Sequence, residues 1–234
     1  MTEKVLAVPR GAIEEFLKQG FFESNGADLM GLLGEKSVFL ERPSAENDPS
    51  YKQIIPYILI AHAGRYLVYR RTKKQGENRL HNKFSLGFGG HINDVDSNRE
   101  TATNVILAAM VRELNEELFL PSIRGLSVVG FINDDANAVG KVHLGVAFVV
   151  ETANERFAVN EPDKIEAQWC DREAVENVFQ NLESWSQLLW THYVKAENTS
   201  DECGRAHHAQ AHRRSISTIR TIDQETAAVA TVAA

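Results

Sequence analysis

The chain has 234 residues, 43% of them hydrophobic, and carries a formal net charge of −7 with a pI near 5.6. That length can bury a full core, and the acidic balance argues against a nucleic-acid polymer as partner, which would call for a basic face. The opening Met1-Thr2-Glu3-Lys4-Val5 has no apolar signal segment and no apolar run is long enough to span a bilayer, so a cytoplasmic protein without a membrane partner is expected.

Residues 12–18 have helical spacing, with Ile13, Phe16 and Leu17 on one face. Gly20, Gly26, Gly31 and Gly34 interrupt that pattern, and residues 42–50 read as a polar loop. Residues 1–50 are therefore expected as an N-terminal extension, with the principal domain over 51–196. That domain opens on a β-branched strand over 54–60, in which Pro56 predicts an edge position or a bulge. Ala63-Gly64 makes a turn, and residues 66–69 return as a strand ending in the basic cluster Arg70, Arg71, Lys73 and Lys74. Residues 84–88 lead into a glycine turn, Gly87-Phe88-Gly89-Gly90-His91, where backbone can approach a ligand closely.

A polar loop over 93–99 precedes a helix that opens at Glu100 and ends before Pro121. Its apolar face comes from Val105, Ile106, Ala109, Val111, Leu114 and Leu118. Strands follow over 126–132 and 142–150, joined by a turn-rich stretch over 133–140. A short strand over 165–169, a helix from Asp171 and a last helix with Leu182, Trp185, Leu188, Leu189 and Tyr193 complete the domain. The tail, 197–234, has no Phe, Trp or Tyr and is expected to be disordered. Strands around one long helix predict an α/β (α+β) fold, a mixed sheet with helices packed on it.

The chemistry concentrates in Arg112-Glu113-Leu114-Asn115-Glu116-Glu117. Counted from Glu113, Glu116 and Glu117 fall at i+3 and i+4, so the three acids share one helical face. Carboxylates that close repel one another, and a hard divalent cation relieves the repulsion. Magnesium, or manganese in its place, suits such oxygen ligands.

Gly90 followed by a helix bearing Arg-Glu-aliphatic-x-Glu-Glu resembles the Nudix box, and the hairpin before it resembles that family's entry into the box. The resemblance covers roughly residues 53–193 and implies a mixed sheet sandwiched between helices. It also implies magnesium-dependent hydrolysis of a phosphoanhydride in a nucleoside diphosphate derivative, with water attacking phosphorus. Carried over by position, Glu116 and Glu117 would be metal ligands. Glu113 would serve either as a further metal ligand or as the general base on water, and Arg112 would orient the acids. Gly89 and Gly90 would offer backbone N–H donors, and Arg70 or Arg71 would clamp a phosphate. A fourth acid would come from Glu161 or Glu166. The expected partner is a small phosphorylated molecule, a nucleotide derivative, with a homodimer left open. The alternative is a catalytically silent nucleotide-binding or sensor module of the same fold.

The chain departs from the family pattern in three places. Nine residues separate Gly90 from Glu100, where the family has five. Eleven separate Glu100 from Arg112, where the family has seven. Phe119 stands where the family places the Gly that relaxes the helix end, so the exit from this helix is expected to differ.

Other motifs carry less. Asp94-Val95-Asp96-Ser97-Asn98 begins like an EF-hand loop but has Arg99 where the glycine belongs, and reads as an ordinary polar loop. Cys203, His207, His208 and His212 suggest a metal tract, but a single cysteine with three histidines in the tail carries little weight, and Cys170 and Cys203 give no metal or disulfide spacing. His91 is expected to position its turn rather than act as a base. Trp169, Trp185 and Trp190 are expected in the core, with one of them able to border a substrate pocket.

Overall fold

Twelve consecutive residues, Tyr51–His62, alternate between two buried faces and form the central strand of a mixed sheet in this computed structural model. The structure describes residues 2–23, 26–72, 83–97 and 102–196. Lys73, Lys74, Glu100, the tract from Cys203 to His212 and the tail over 197–234 lie outside them.

The strands are β1 (Lys4–Pro9), β2 (Gly20–Phe22), β3 (Val38–Glu41), β4 (Tyr51–His62), β5 (Arg65–Arg71) and β6 (Phe84–Ser85). They continue as β7 (Gly87–Phe88), β8 (Leu118–Phe119), β9 (Ile123–Asn133), β10 (His143–Thr152), β11 (Ala158–Val159) and β12 (Ile165–Cys170). The helices are α1 (Arg10–Ile13), α2 (Gly26–Lys36), α3 (Arg42–Ala45), α4 (Ala102–Glu117), α5 (Ala138–Lys141), α6 (Arg172–Val178) and α7 (Ser184–Leu189).

Ten strands form the main sheet, whose path runs β12-β5-β4-β10-β9-β2, with β1, β3, β6 and β7 branching from it. The β4–β10 pair is parallel, with Leu144 opposite Ile54 and Phe148 opposite Ile58. The β9–β10 and β5–β12 pairs are antiparallel. On its other side β4 pairs first with β1 at residues 51–53 and then with β7 at Ile58 and Leu59. Pro56 sits in the gap between those two registers, so the expected edge position exists locally inside a central strand.

Strand alternation divides the packing. Ile54, Ile58 and Ile60 join a buried cluster with Leu29 and Leu33 of α2 and Ile106, Ala109, Met110 and Leu114 of α4. Tyr57, of opposite parity, meets Trp185 of α7 with ring centroids 5.6 Å apart. Helices therefore cover both faces, as expected of a sheet in a sandwich.

The structure differs from the sequence reading in several places. Residues 1–50, expected as an extension, contribute β1, β2 and β3 to the same sheet, within one unit spanning Met1–Tyr193. Gly31 and Gly34 lie inside α2, because the fully buried Leu29 and Leu33, one turn apart, outweigh the helix cost of glycine. The helix expected over 12–18 is the short α1 followed by a 3-10 turn, Glu14–Phe16. The last helix widens at its end, α7 passing into a π-helical turn over Trp190–Val194.

Candidate active site

Helix α4 carries the acidic run in its last two turns and packs on β4 through Ile106, Ala109 and Leu114. Its position brings Glu113 against the glycine turn. A Cβ placed on Gly90 would lie 2.5 Å from Glu113 Oε2, so the absence of a side chain at Gly90 is what admits the carboxylate. Gly89 has φ +142°, and a Cβ there would overlap the Pro56 carbonyl oxygen. Only glycine allows that backbone to lie against β4.

Arg112 organises this end of the helix. Its Nη1 donates to Glu113 Oε1 at 2.7 Å and reaches Glu116 Oε1 at 3.2 Å. Its Nε and Nη2 donate to Asp96 Oδ1 and Oδ2, both at 2.9 Å, and Nη2 also donates to the His91 carbonyl at 2.9 Å. The hydrogen bonds it donates to Asp96 are the largest cause holding the guanidinium charged. Asp96, 5% exposed at its side chain, sits in a 3-10 turn, Asp94–Ser97, within the loop read from sequence as ordinary. The EF-hand resemblance hid its role, and an acid sixteen residues before the arginine gives no local periodic signal. His91 positions its turn through its carbonyl, and burial pushes its ring pKa down to about 3, leaving it neutral.

The three acids are not equivalent. Glu116 is 59% exposed at its side chain, whereas Glu113 and Glu117 are desolvated. Burial raises the Glu117 carboxyl to about 7, with Arg71 opposing and Glu113 and Glu161 adding to the rise. Among the described residues its Oε2 is buried with no hydrogen-bond partner. Burial likewise raises Glu113 above its ordinary range despite Arg112 beside it. A buried carboxylate oxygen lacking a donor, next to a second desolvated carboxylate, fits a hard cation in both charge and ligand type. Among the described residues, however, no three His, Cys, Asp or Glu side chains converge as a closed ligand set.

The flanking cations separate by strand parity. Arg71 points the same way as Tyr69 and acts electrostatically on Glu117. Arg70 points to the other face, where it pairs with Glu166 across the β5–β12 register at 2.6 Å. The structure thus brings Arg71 and Glu161 toward the acids and leaves Arg70 and Glu166 to neutralise each other.

The altered helix exit has a specific solution. Asn160 N donates to the Glu117 carbonyl at 2.9 Å, and Asn160 Nδ2 donates to the Asn115 carbonyl at 2.7 Å. These bonds satisfy carbonyls that a glycine cap would otherwise serve. The exposed Phe119 then continues directly into β8, pairing with Ala158 of β11.

A pocket of about 140 Å³ opens beside Gly89, where Tyr57, Tyr69, Phe84 and Trp185 line it. Trp185 therefore borders a pocket, whereas Trp190 is fully buried in the core.

Comparison with known proteins agrees with this geometry. Protein YmaB of Bacillus subtilis (strain 168) is 34% identical over 199 residues, spanning 81% of this chain and 96% of YmaB. The crystal structure of Tm1382, described as a Nudix hydrolase, superposes with a TM-score of 0.68 at 32% identity, over 80% of this chain and 95% of that one. The chain belongs to the Nudix hydrolase family. A more distant structure, the bifunctional NMN adenylyltransferase/ADP ribose pyrophosphatase of Francisella tularensis, was solved with AMP and manganese. It is 15% identical with a TM-score of 0.45, over 65% of this chain and 42% of that one. No family model matches the sequence. Among the described residues no helix is long and apolar enough to cross a membrane.

Proposed function

We propose that this protein hydrolyses a phosphoanhydride bond in a nucleoside diphosphate derivative, with water attacking phosphorus. The observation that carries the reading is the pair of desolvated carboxylates, Glu113 and Glu117, set against the backbone of Gly89 and Gly90. Glu113, Glu116 and Glu117 would hold magnesium, or manganese in its place, and the metal when bound neutralises the charge of the diphosphate.

The chain's own groups do the rest. Arg112, anchored by Asp96, fixes the Glu113 carboxylate in one orientation. Glu113 takes the proton of the attacking water on a carboxylate oxygen, and burial favours that proton's arrival. Arg71 lies toward the acids and counters charge on the phosphate left behind. Phosphoryl transfer asks mainly for such positioning and electrostatic stabilisation.

The test is phosphate release from a panel of nucleoside diphosphate derivatives, with and without added phosphatase, in magnesium. The wild-type protein is run beside Glu116→Gln and Glu117→Gln. Metal-dependent release that Glu117→Gln abolishes supports the reading. Turnover that survives both substitutions nearly intact removes the metal-ligand assignment. Tight nucleotide binding with no product from any substrate favours a sensor of the same fold.

A further inference from the structure

The pocket beside Gly89 combines features that the hydrolytic centre alone does not require. Its walls include the half-buried rings of Phe84 and Trp185 and the buried ring of Tyr69. Arg71 and the exposed Lys83 also line it. The remaining charged group is the carboxylate of Glu183, at the start of α7.

Glu183 is held on one side only. Its Oε1 accepts from the Tyr57 hydroxyl, from Ser186 Oγ at 2.9 Å, from Ser186 N at 3.2 Å and from Ser85 Oγ at 3.3 Å. Its Oε2 has a single long contact, from Trp185 N at 3.4 Å. Each carboxylate oxygen has about two acceptor positions, so Oε2, with its one long contact, keeps capacity for a further donor. The crowd of donors on Oε1 fixes its direction. A Cβ on Gly87 would overlap the Tyr57 ring, so that ring packs directly on the glycine backbone.

We infer that this pocket receives the base of the nucleotide, and that Glu183 selects planar heterocycles carrying an N–H donor. The inference rests on the proposed hydrolysis for the placement of the phosphates, although its recognition chemistry does not. Flat aromatic walls suit a stacked ring. A cavity of about 140 Å³ accepts one ring system rather than a whole dinucleotide. Arg71 lines the pocket and its charge acts on Glu117, which suits the anionic part of the ligand on that side. A carboxylate in such a pocket accepts from an amino or imino group and rejects a ring that offers only acceptors, which would leave it unpaired.

The experiment uses the full chain and three nucleoside diphosphates that share ribose and phosphates. Their bases are adenine, 2,6-diaminopurine and unsubstituted purine. Binding is measured by calorimetry, and hydrolysis of the matching derivatives is measured separately. We expect unsubstituted purine to bind at least tenfold more weakly than adenine. Glu183→Gln should narrow that ratio at least threefold, and Trp185→Leu should weaken all three ligands together. Because Glu183 also caps α7, the ligand series on the wild-type protein stands as a test that needs no substitution. Equal binding of all three bases overturns the inference, whether or not hydrolysis occurs. Base-dependent binding without any hydrolysis supports the inference and removes the hydrolytic reading instead.

Discussion

Arg112 and Asp96 form a two-point ion pair, Nε to Oδ1 and Nη2 to Oδ2, each at 2.9 Å, that ties the polar loop before α4 to the helix carrying the acids. Through it the orientation of Glu113 depends on a residue sixteen positions upstream of the arginine. Asp96 Oδ2 also accepts from Asn93 N at 3.0 Å, which closes the loop on itself.

Asp96→Asn is expected to cost about 2 kcal/mol, because it leaves the guanidinium without its principal partner in a largely buried setting. A second effect falls on function. Supporting groups of this kind typically change metal affinity or activity about 10–100-fold. Urea unfolding measures the first quantity and magnesium titration of turnover the second. A stable variant with unchanged magnesium dependence would show that Asp96 does not support the acids.

The two glycines of the turn should fail in different ways. Gly90→Ala sets its methyl against the Glu113 carboxylate, a movable side-chain end, so stability should change by no more than about 1 kcal/mol. Displacing that carboxylate should lower kcat by about a hundredfold. Gly89→Ala combines a strained φ with an overlap against the Pro56 carbonyl and should lose about 2 kcal/mol or more. Thermal melts read beside kcat separate the two outcomes.

Glu117→Gln should stabilise the metal-free protein while removing its response to magnesium. Burial and the nearby Glu113 disfavour the ionised form of Glu117, so a neutral amide relieves that cost. A gain of about 1 kcal/mol corresponds to roughly 2–4 °C in Tm for a chain of this size. Magnesium should raise the Tm of the wild type and leave that of the variant unmoved, as a melt series with and without the metal would show.

Away from the site, Lys52 is fully buried and its ammonium donates to Asp135 Oδ1 at 2.9 Å and to the Gly140 carbonyl at 3.0 Å. Arg10 bonds the same carboxylate, with Nη2 2.9 Å from Oδ2. Asp135→Asn leaves a buried cation without its counter-charge and should cost about 3 kcal/mol.

The same carboxylate gives a pH signature. Burial would raise the Asp135 pKa, but the hydrogen bonds from Arg10, Lys52 and Asn133 outweigh it and bring the carboxyl down to about 2 from its ordinary 3.8. A depressed carboxylate pKa stabilises the fold above the unfolded value, and that contribution is lost as the pH falls from about 3.8 toward 2. Urea midpoints measured across that window should decline in the wild type, and Asp135→Asn should lack this component of the decline.

Local sequence determined the pieces whose signal is periodic. The i, i+3, i+4 spacing of Glu113, Glu116 and Glu117 placed all three acids on one helix, and α4 carries them. The β-branched run that begins at Ile54 became β4, and the Ala63-Gly64 turn holds φ +46° and +79° as a tight hairpin requires. Asp171 caps α6 by accepting from Ala174 N at 2.8 Å, at the helix start read from sequence.

Tertiary structure alone decided the rest, because those choices depend on residues distant in the chain. Parity along β5 sends Arg71 toward Glu117 and Arg70 toward Glu166, but only the pairing with β12 shows which face is which. Asp96 finds Arg112 across a loop, and Asn160 reaches the end of α4 from beyond β9 and β10. Gly31 and Gly34 read as breaks until Leu29 and Leu33 have a core to enter. The direction of the Glu183 carboxylate follows from neighbours supplied by β4, β6 and α7, whose hydrogen bonds crowd one oxygen and leave the other a single long contact.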